Sequence, residues 1–265
     1  MRPTSRLLVL AIPTLSLFSA CASGPVPQPL PPQARDMLMT AQQSPSSTGD
    51  QVYEGQVYSL ASRREPLFRY ERRVHSVDEG VASTHVTYDP SGAVVVIQSA
   101  HHTPNYDLKR ADLIHGQTGA SGSVAVEGRQ LTFTLTEGGR VSTTQESITD
   151  PVVAGPTMFG YILAHWDELM NGASLPIRFA VLERGETIGF ALDKVESAPG
   201  RTTIRMRPSN LLIRMAIAPT YFEFETTTRR ILEYTGRVPP LETVNNRLQA
   251  LDARVVYRFV AADFR

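Results

Sequence analysis

Short runs in which apolar and polar residues alternate fill the chain from about residue 51 onward. In 201–208, Thr202, Ile204 and Met206 alternate with polar neighbours, and in 221–226 Phe222 and Phe224 do the same. A period of two is typical of antiparallel strands with one buried face. Turn residues separate the runs at the spacing of an all-β sheet or barrel, so the pattern predicts about ten strands.

The predicted strands continue almost to the end of the chain. Turns separate them, as at 89–92, where Pro90 fixes φ and Gly92 supplies a positive φ. The strands are predicted at 67–76, 80–89, 93–102, 122–128, 130–139, 175–184, 186–197, 201–208, 211–219, 221–228, 231–238 and 252–260.

One stretch, 155–172, has a helical period instead. Pro156 suits the first helical position, and Gly172 suits the position after the last turn. Apolar residues recur there at spacings of three and four, which predicts one long amphipathic helix. Its apolar stripe consists of Met158, Phe159, Ile162, Leu163, Trp166, Leu169 and Met170. A second, shorter helix is predicted at 241–250.

One long helix among many strands indicates a mainly β (α+β) fold. We expect a curved antiparallel sheet or incomplete barrel of about ten strands, with the long helix packed against its concave side. A flat sandwich would leave so large an apolar stripe uncovered. We expect this half-barrel-like domain to occupy residues 51–265.

The first residues have the pattern of an export signal. Arg2 and Arg6 precede an apolar run at 7–18, which is shorter than the roughly 20 residues of a membrane helix. The tetrad at 18–21 resembles a bacterial lipobox, in which Cys21 would be lipidated after removal of a signal peptide at 1–20. The alternative is ordinary cleavage at the A-x-A pattern of Ala20 and Ala22.

Residues 21–50 resemble a tether. They are rich in proline, glutamine and serine, a composition that cannot bury enough apolar surface to order itself. A helical turn is expected only at 34–41. We therefore expect a disordered arm, anchored through Cys21 and located in the cell envelope, at the outer membrane facing the periplasm. No aspartate follows the cysteine, and the resemblance to enterobacterial lipoproteins then implies the outer membrane rather than retention at the inner membrane.

The composition limits the classes of binding partner and the covalent links that the chain can form. The chain has 26 basic and 26 acidic residues, so it presents no basic field for nucleic acid. Cys21 is the only cysteine, which excludes an internal disulfide and agrees with its lipidation.

Four sets of polar residues are candidates for a catalytic, metal-binding or anion-binding site, and none matches a catalytic or metal-binding motif. His165 and Glu168 lie on one flank of the predicted helix with Tyr161, but a zinc site would need a third ligand. The adjacent pair His101 and His102 points to opposite faces of a strand, and His85 or His115 could join only through the fold. We expect neither metal nor cofactor.

The other two sets are a serine turn and a row of arginines. The turn at 119–123 has Ser123 where the G-x-S-x-G motif of a nucleophile elbow needs its second glycine. The arginine row is more typical of a solvated strand face than of an anion site. It consists of Arg201, Arg205 and Arg207, with Arg178 or Arg214 as further members.

The stretch VVAGPTMFGYILAHWDELMNGASLPIRFAVLERGETIGFAL, followed by IRMRPSNLLIRMAIAPTYFEFETTTRRILEYTGRVPP, resembles a group of uncharacterised exported bacterial proteins. The resemblance covers roughly residues 50–260. In outline that group is similar to the half-barrels of the outer-membrane lipoprotein carriers LolA and LolB. The resemblance implies a curved sheet that wraps helices around an apolar cavity, and it implies no catalytic residue.

These observations favour an envelope-tethered lipoprotein that binds a lipid or other apolar ligand without catalysis. The predicted ligand-binding residues are Met158, Phe159, Ile162, Trp166 and Met170, on the apolar face of the helix. One alternative is a structural or assembly factor that binds another envelope protein, for example through a sheet edge. A periplasmic hydrolase is the third alternative, and it would need His165 and Glu168 to converge with another polar group.

Overall fold

The computed structural model describes residues 34, 37, 52–61, 65–77 and 80–260. The predicted signal peptide, Cys21 and all of the predicted arm except residues 34 and 37 lie outside these ranges. No helix in the described ranges has the length and apolar character needed to cross a membrane.

Fifteen strands account for most of the described chain. They are β1 (Val52–Ser59), β2 (Phe68–Val77), β3 (Gly80–Tyr88), β4 (Val94–His102), β5 (Leu108–His115), β6 (Ala120–Glu127), β7 (Gln130–Glu137), β8 (Arg140–Ser147), β9 (Val152–Val153), β10 (Ser174–Val181), β11 (Glu186–Val195), β12 (Arg201–Pro208), β13 (Thr220–Glu225), β14 (Ile231–Val244) and β15 (Arg247–Val260). The mainly β class is confirmed, but the prediction of about ten strands is wrong.

All fifteen strands form one open sheet in the order β8-β7-β6-β5-β4-β3-β2-β1-β15-β14-β13-β12-β11-β10-β9. Every neighbouring pair is antiparallel except β9 and β10, which are parallel. The sheet thus consists of two meanders, β1–β8 and β9–β15, joined where the first strand pairs with the last.

The strands missed by the sequence analysis lack a clean alternation. β8 is exposed along nearly its whole length, so it has no apolar face to detect. In β1, Gly55 interrupts the pattern because another side chain occupies the space of its missing Cβ. A Cβ there would lie 2.9 Å from Cγ1 of Val255.

The prediction of one continuous long helix is wrong. A 3₁₀ helix at Gly155–Thr157 leads into helix α1 (Met158–Ala164), and helix α2 (Trp166–Met170) follows after a break at His165. His165 leaves the helical region, with φ −104° and ψ 21°. Its ring lies 4.4 Å from that of Tyr161 and its Nδ1 is 2.7 Å from Glu168. The apolar stripe nevertheless continues across the break and is buried.

The helix predicted at 241–250 is a β-hairpin. Asn245 and Asn246 have φ of 50° and 60°, the left-handed conformation of a two-residue type I′ turn, and they join β14 to β15. The apolar residues on either side of this turn form cross-strand pairs, and their spacing only imitates a helical period.

The strand predicted at 211–219 is mostly helix α3 (Leu211–Ala216). The side chain of Asn210 caps it, accepting a hydrogen bond from the backbone N–H of Leu212 at 2.8 Å. Leu211, Leu212 and Met215 are exposed on this helix, each by more than two thirds of its surface.

The interior holds two apolar clusters. One consists of residues from the first meander and from both the start and the end of the second, and it includes Phe133, Leu131 and Leu182. The other lies under α1 and α2 and includes Ile162, Trp166 and Phe224. The helices therefore plug the curved sheet rather than cover its outside.

Side chains, not backbone ladders, join the two arms of the sheet where they meet. Thr144 Oγ1 donates to the carbonyl of Gly185 at 2.6 Å. Glu146 accepts from the backbone N–H of Thr187 at 2.9 Å and from its hydroxyl at 2.6 Å. A Cβ at Gly122 would lie 2.2 Å from the Leu182 carbonyl oxygen, so the arms touch there. We call this contact the seam.

The two ends of the curved sheet differ. At the closed end, α1 contacts the loop at 103–107, since a Cβ on Gly160 would lie 1.8 Å from the ring of Tyr106. At the same end, Arg229 lies 5.4 Å from the Trp166 ring and 3.4 Å from Asp167. The opposite end carries the turns at 116–119, 138–139 and 182–185, together with α3 and the turn at 245–246. We call it the open end.

A small cluster lies on the outer face of β3–β5. Val86, Ile97 and Ile114 are buried there with Ala34, and Met37 packs against them. Residues 34 and 37 are helical. Part of the segment predicted to be a tether therefore lies on the sheet.

Candidate ligand-binding cavity

A cavity of about 560 Å³ lies inside the curved sheet, between the sheet and the first turn of α1. Most of its walls are apolar, and both meanders contribute to them. The apolar and aromatic lining residues include Val57, Leu113, Leu135, Met158, Phe159, Phe179, Ile188, Phe190, Met206, Phe222, Val255 and Tyr257. Its size and lining are typical of a small-molecule site.

The five predicted ligand-binding residues do not share one environment. Met158 and Phe159 line the cavity. Ile162 and Trp166 are buried in the cluster beneath the helices, where Trp166 packs edge-on against Phe224 at 5.5 Å, and Met170 packs partly buried against the same cluster. The N-terminal turn of α1 is thus the part of the predicted stripe that borders open space.

Aromatic rings form the wall between the cavity and α1. Phe159 contacts Tyr257 at 5.3 Å and Phe222 at 6.0 Å, both edge-on. Tyr70 bridges Tyr257 at 5.6 Å and His85 at 5.0 Å. Burial raises the pKa of Tyr70 and of Tyr257 well above the usual value, so both stay neutral hydroxyls. Rings in edge-on contact give this wall a fixed shape.

A polar row crosses the otherwise apolar interior. Strand register places Arg72 on β2 beside His85 on β3, and His85 beside Gln98 on β4, all on the interior face. His85 and Gln98 line the cavity, and Arg72 lies beside His85 on the side away from Gln98. The next row on the same face contributes Thr87 and His115 to the lining.

The histidines of the cavity are held neutral. Burial lowers the pKa of His85 well below its usual value, and the adjacent Arg72 lowers it further. Burial also lowers the pKa of His115, against the opposing effect of its hydrogen bond to the Pro239 carbonyl at 3.1 Å. His85 Nε2 and His115 Nδ1 are buried without a hydrogen-bond partner. The cavity wall therefore contains unsatisfied polar atoms, which is unusual for a closed core.

Arg72 is the most unusual residue of this row. It is 1% exposed, and its Nε and Nη1 have no hydrogen-bond partner. Its guanidinium lies 5.7 Å from the Tyr53 ring and 5.4 Å from the Phe159 ring. Among the ion pairs of the described residues, none involves Arg72, so aromatic faces rather than a carboxylate surround this charge.

The cavity reaches solvent at the open end. Six of its lining residues are exposed, and Thr118, Glu137, Glu183 and Arg184 of these lie in or next to the turns there, with Arg237 and Ala250 on β14 and β15. Arg237 and Leu241 of β14 also line it. The carbonyl of Leu241 accepts from Gln117 Nε2 at 2.8 Å, and its N–H donates to Gln117 Oε1 at 2.9 Å. These two hydrogen bonds join the two meanders across the mouth.

The residues considered for catalysis or metal binding lie apart from the cavity. His165 and Glu168 form an exposed pair at 2.7 Å on the flank of the helices, and neither lines the cavity. No third acidic or histidine ligand joins them, and no group of three potential metal ligands exists among the residues that the structure describes. These contacts give no support to the hydrolase alternative.

The adjacent histidines also separate as expected for a strand. His101 is exposed, whereas His102 is buried. Ser83 Oγ lies 2.9 Å from His102 Nε2, and His102 Nδ1 donates to the Thr103 carbonyl at 2.8 Å. His102 also stacks on Tyr106 at 4.6 Å. This Ser–His contact is sealed in the core and has no access to the cavity.

The arginine row is neutralised by carboxylates. Arg207 and Arg205 both bind Asp193, with Nε–O and Nη2–O distances of 2.6 and 3.0 Å, and Arg201 binds Glu223. Burial raises the pKa of Asp193, but hydrogen bonds from the arginines and Ser174 outweigh it and lower the pKa to about 2. Of the further members, Arg178 is near Glu146, and Arg214 donates to the Pro208 carbonyl. The row is an ion-pair network on a solvated strand face.

Arg72 and Gln98 were not predicted as site residues, and His85 was predicted only as a possible metal ligand. The alternation in β2 contains a signal that could have identified Arg72. Arg72 has the same parity as Tyr70, so it falls on the face that buries an aromatic ring. A charge in phase with buried residues is rare, and it indicates either a pairing or a site.

No family model matches the chain, and no curated protein matches it. One similar solved structure is the β-barrel-like protein of the domain of unknown function DUF1849 from Brucella abortus. It is 7% identical, with a TM-score of 0.41, over 80% of this chain and 94% of that one. Another is a putative outer membrane lipoprotein-sorting protein domain from Vibrio parahaemolyticus, 9% identical with a TM-score of 0.24, over 85% and 92%. Similarity at this level says nothing about activity.

Proposed function

We propose that this chain binds the hydrocarbon part of a lipid or another apolar ligand without chemical change. The observation that carries the proposal is the cavity of about 560 Å³ with apolar walls and an open mouth. Each methylene transferred from water into such a space contributes about 0.8 kcal/mol before the cost of association. Met158 and Phe159 would contact the ligand, while Ile162, Trp166 and Met170 hold the helices in place.

The cellular setting of the proposal comes from the sequence. A lipid on Cys21 and the arm at 21–50 would tether the cavity to the cell envelope, with the outer membrane as the expected site. Mass spectrometry of the protein taken from its native membrane tests both parts. Acyl chains on Cys21 would support the anchor, and a second, extractable lipid would support the cavity. An unmodified Cys21 would contradict the anchor alone.

A pair of substitutions tests the cavity directly. Met158→Trp places a larger side chain at the cavity wall, whereas Met170→Trp makes the same change outside the cavity. Met158→Trp is expected to weaken binding of dodecanol by at least about tenfold, and Met170→Trp to leave it nearly unchanged. Equal losses in both variants, or no dodecanol binding by the unaltered protein, would contradict the proposal.

The assembly-factor alternative has one supporting observation, the exposed apolar surface of α3. Leu212 and Met215 are exposed by 71% and 76%, although most large apolar residues are buried. If this surface binds an envelope protein, changing both residues to serine would abolish crosslinking to that protein while dodecanol binding persists. Unchanged crosslinking would remove the alternative.

A further inference from the structure

The row Arg72–His85–Gln98 carries an inference about the ligand's head group, which rests on the proposed function. We propose that the cavity selects an amphiphile with a singly charged anionic head, such as a carboxylate. The head would lie against His85 and Gln98 with its chain among the apolar walls, and Arg72 would supply the compensating charge.

The charge of Arg72 has no carboxylate partner among the ion pairs of the described residues. Arg72 is 1% exposed and two of its guanidinium nitrogens lack hydrogen-bond partners. A buried ion without a counter-ion costs free energy because the interior solvates it poorly. The Tyr53 and Phe159 rings offset part of this cost by cation–π contact. An anion nearby would offset more of it.

The polar side chains of the row that border the cavity are His85 and Gln98. His85 is 7% exposed, although its unpartnered Nε2 is itself buried. Gln98 lies beside it and can donate through its amide. Neighbouring side chains of this kind are about 4.5–5.5 Å apart at Cβ, so both can contact one head group. Together they give the apolar space one polar end.

The groups around the row carry one positive charge and no negative charge. The groups that face His85 are Arg72 on β2, Gln98 on β4, Tyr70 on β2 and Phe159 on α1. Arg72 is the only charged member of this set. Because one positive charge lies in a low-dielectric interior, the local potential favours one negative charge and opposes a second positive one.

The test compares three ligands that share a chain and differ in charge. Dodecanoate, dodecanol and dodecyltrimethylammonium are titrated into ligand-free, full-length protein at neutral pH. Dodecanoate is expected to bind at least about tenfold more tightly than dodecanol, as for a charge-assisted hydrogen bond, and the ammonium compound is expected to bind most weakly. Equal binding of dodecanoate and dodecanol would overturn the head-group proposal while leaving the proposed function intact. Failure of all three would overturn the proposed function itself.

Two matched variants test whether the row causes the preference for dodecanoate over dodecanol. Arg72→Met removes the buried charge at similar volume, a change that folded proteins often tolerate. It is expected to abolish the preference for dodecanoate and to keep the affinity for dodecanol. Arg73→Met makes the same change on the adjacent, half-buried residue of β2, which is near Glu71, and is expected to keep the preference. Loss of the preference in both variants, or in neither, would overturn the assignment.

A variant that keeps Arg72 covers the case in which Arg72→Met does not fold. The double variant His85→Leu and Gln98→Leu removes both donors and leaves the charge in place. Dodecanoate affinity is expected to fall by about tenfold while dodecanol affinity is unchanged or higher. An undiminished preference for dodecanoate would show that the row does not bind the head group.

Discussion

Lowering the pH from about 7.5 to about 5.5 is expected to destabilise the fold through three buried histidines, because each must stay neutral. His85, His102 and His115 are 7%, 1% and 4% exposed. Burial is the main cause of the lowered pKa of all three, and Arg72 adds to it for His85 and His102. In the unfolded chain the same groups take up protons at about pH 6.5.

The sign follows from proton uptake. A folded-state pKa below the unfolded value means that the unfolded chain binds more protons, so stability falls as the pH drops below about 6.5. Each histidine that stays neutral in the fold lowers the free energy of unfolding by about 1.4 kcal/mol per pH unit. Three give at most about 4 kcal/mol between about pH 6.5 and 5.5, a large part of the roughly 5–15 kcal/mol of a typical domain.

The hydrogen bonds of two of them suit a neutral ring. His102 Nδ1 donates to the Thr103 carbonyl, so Nε2 of the neutral ring accepts from Ser83, whereas a protonated ring would donate there and the Ser83 hydroxyl would have to turn to accept. His115 Nε2 donates to the Pro239 carbonyl, so a proton on its buried Nδ1 would have no acceptor. Both arrangements therefore favour the unprotonated ring.

The assay is urea unfolding followed by circular dichroism at several pH values. His85→Asn is expected to reduce the pH dependence by about one third, since it removes one of three groups. His101→Asn, on the exposed face of β4, is the control and is expected to leave the dependence unchanged. Equal midpoints at about pH 7.5 and 5.5 would refute the reasoning, because the linkage then has no source.

Three substitutions test packing and pairing. Gly160→Ala is expected to lower the free energy of unfolding by about 1–3 kcal/mol, because the new Cβ would lie 1.8 Å from the Tyr106 ring, and Tyr106→Ala in the same chain is expected to relieve most of this strain. Asp193→Asn is expected to cost about 1 kcal/mol, and the cost should vanish between about pH 4 and 2, as the native carboxylate protonates. Glu146→Gln is expected to cost about 1–2 kcal/mol and to speed hydrogen exchange of the Thr187 amide, because the neutral amide weakens the two hydrogen bonds that the Glu146 carboxylate accepts from Thr187.

Each of these has an outcome that would contradict it. Additive effects of Gly160→Ala and Tyr106→Ala would mean that the two positions do not touch. Asp252→Asn is the control for Asp193→Asn, since Asp252 pairs with a single arginine at an exposed site. An equal cost in both would mean that the network adds nothing. Unchanged exchange at Thr187 would mean that the seam bond contributes no protection.

The sequence predicted which face of each strand is buried better than it predicted whether a segment is a helix or a strand. The buried sets of β12 and β13 follow their alternation directly, since Ile204 and Phe222 pack inward as expected. The two failures at 211–219 and 241–250 have a common cause. Short apolar runs fit either period, and the deciding groups were asparagines, one capping α3 and two forming the turn before β15.

The cavity was predictable only in part. The helical stripe led to Met158 and Phe159, because an amphipathic helix among strands must face the sheet. The polar row depends on register across β2, β3 and β4, which links residues 72, 85 and 98 through two turns. Local patterns do not contain that register, so Arg72 stood in the sequence as one arginine among many.

The cluster on the outer face of β3–β5 decides where an anchored chain would leave the domain. Ala34 is buried there against Val86, Ile97 and Ile114, whereas Val52 lies at the closed end, where it pairs with Val260. If Cys21 carries a lipid, the anchored segment would therefore leave the domain at this outer face and not at residue 52. The 12 residues between Cys21 and Ala34 span at most about 45 Å when extended. A lipid there would hold the outer face of β3–β5 within that distance of the membrane.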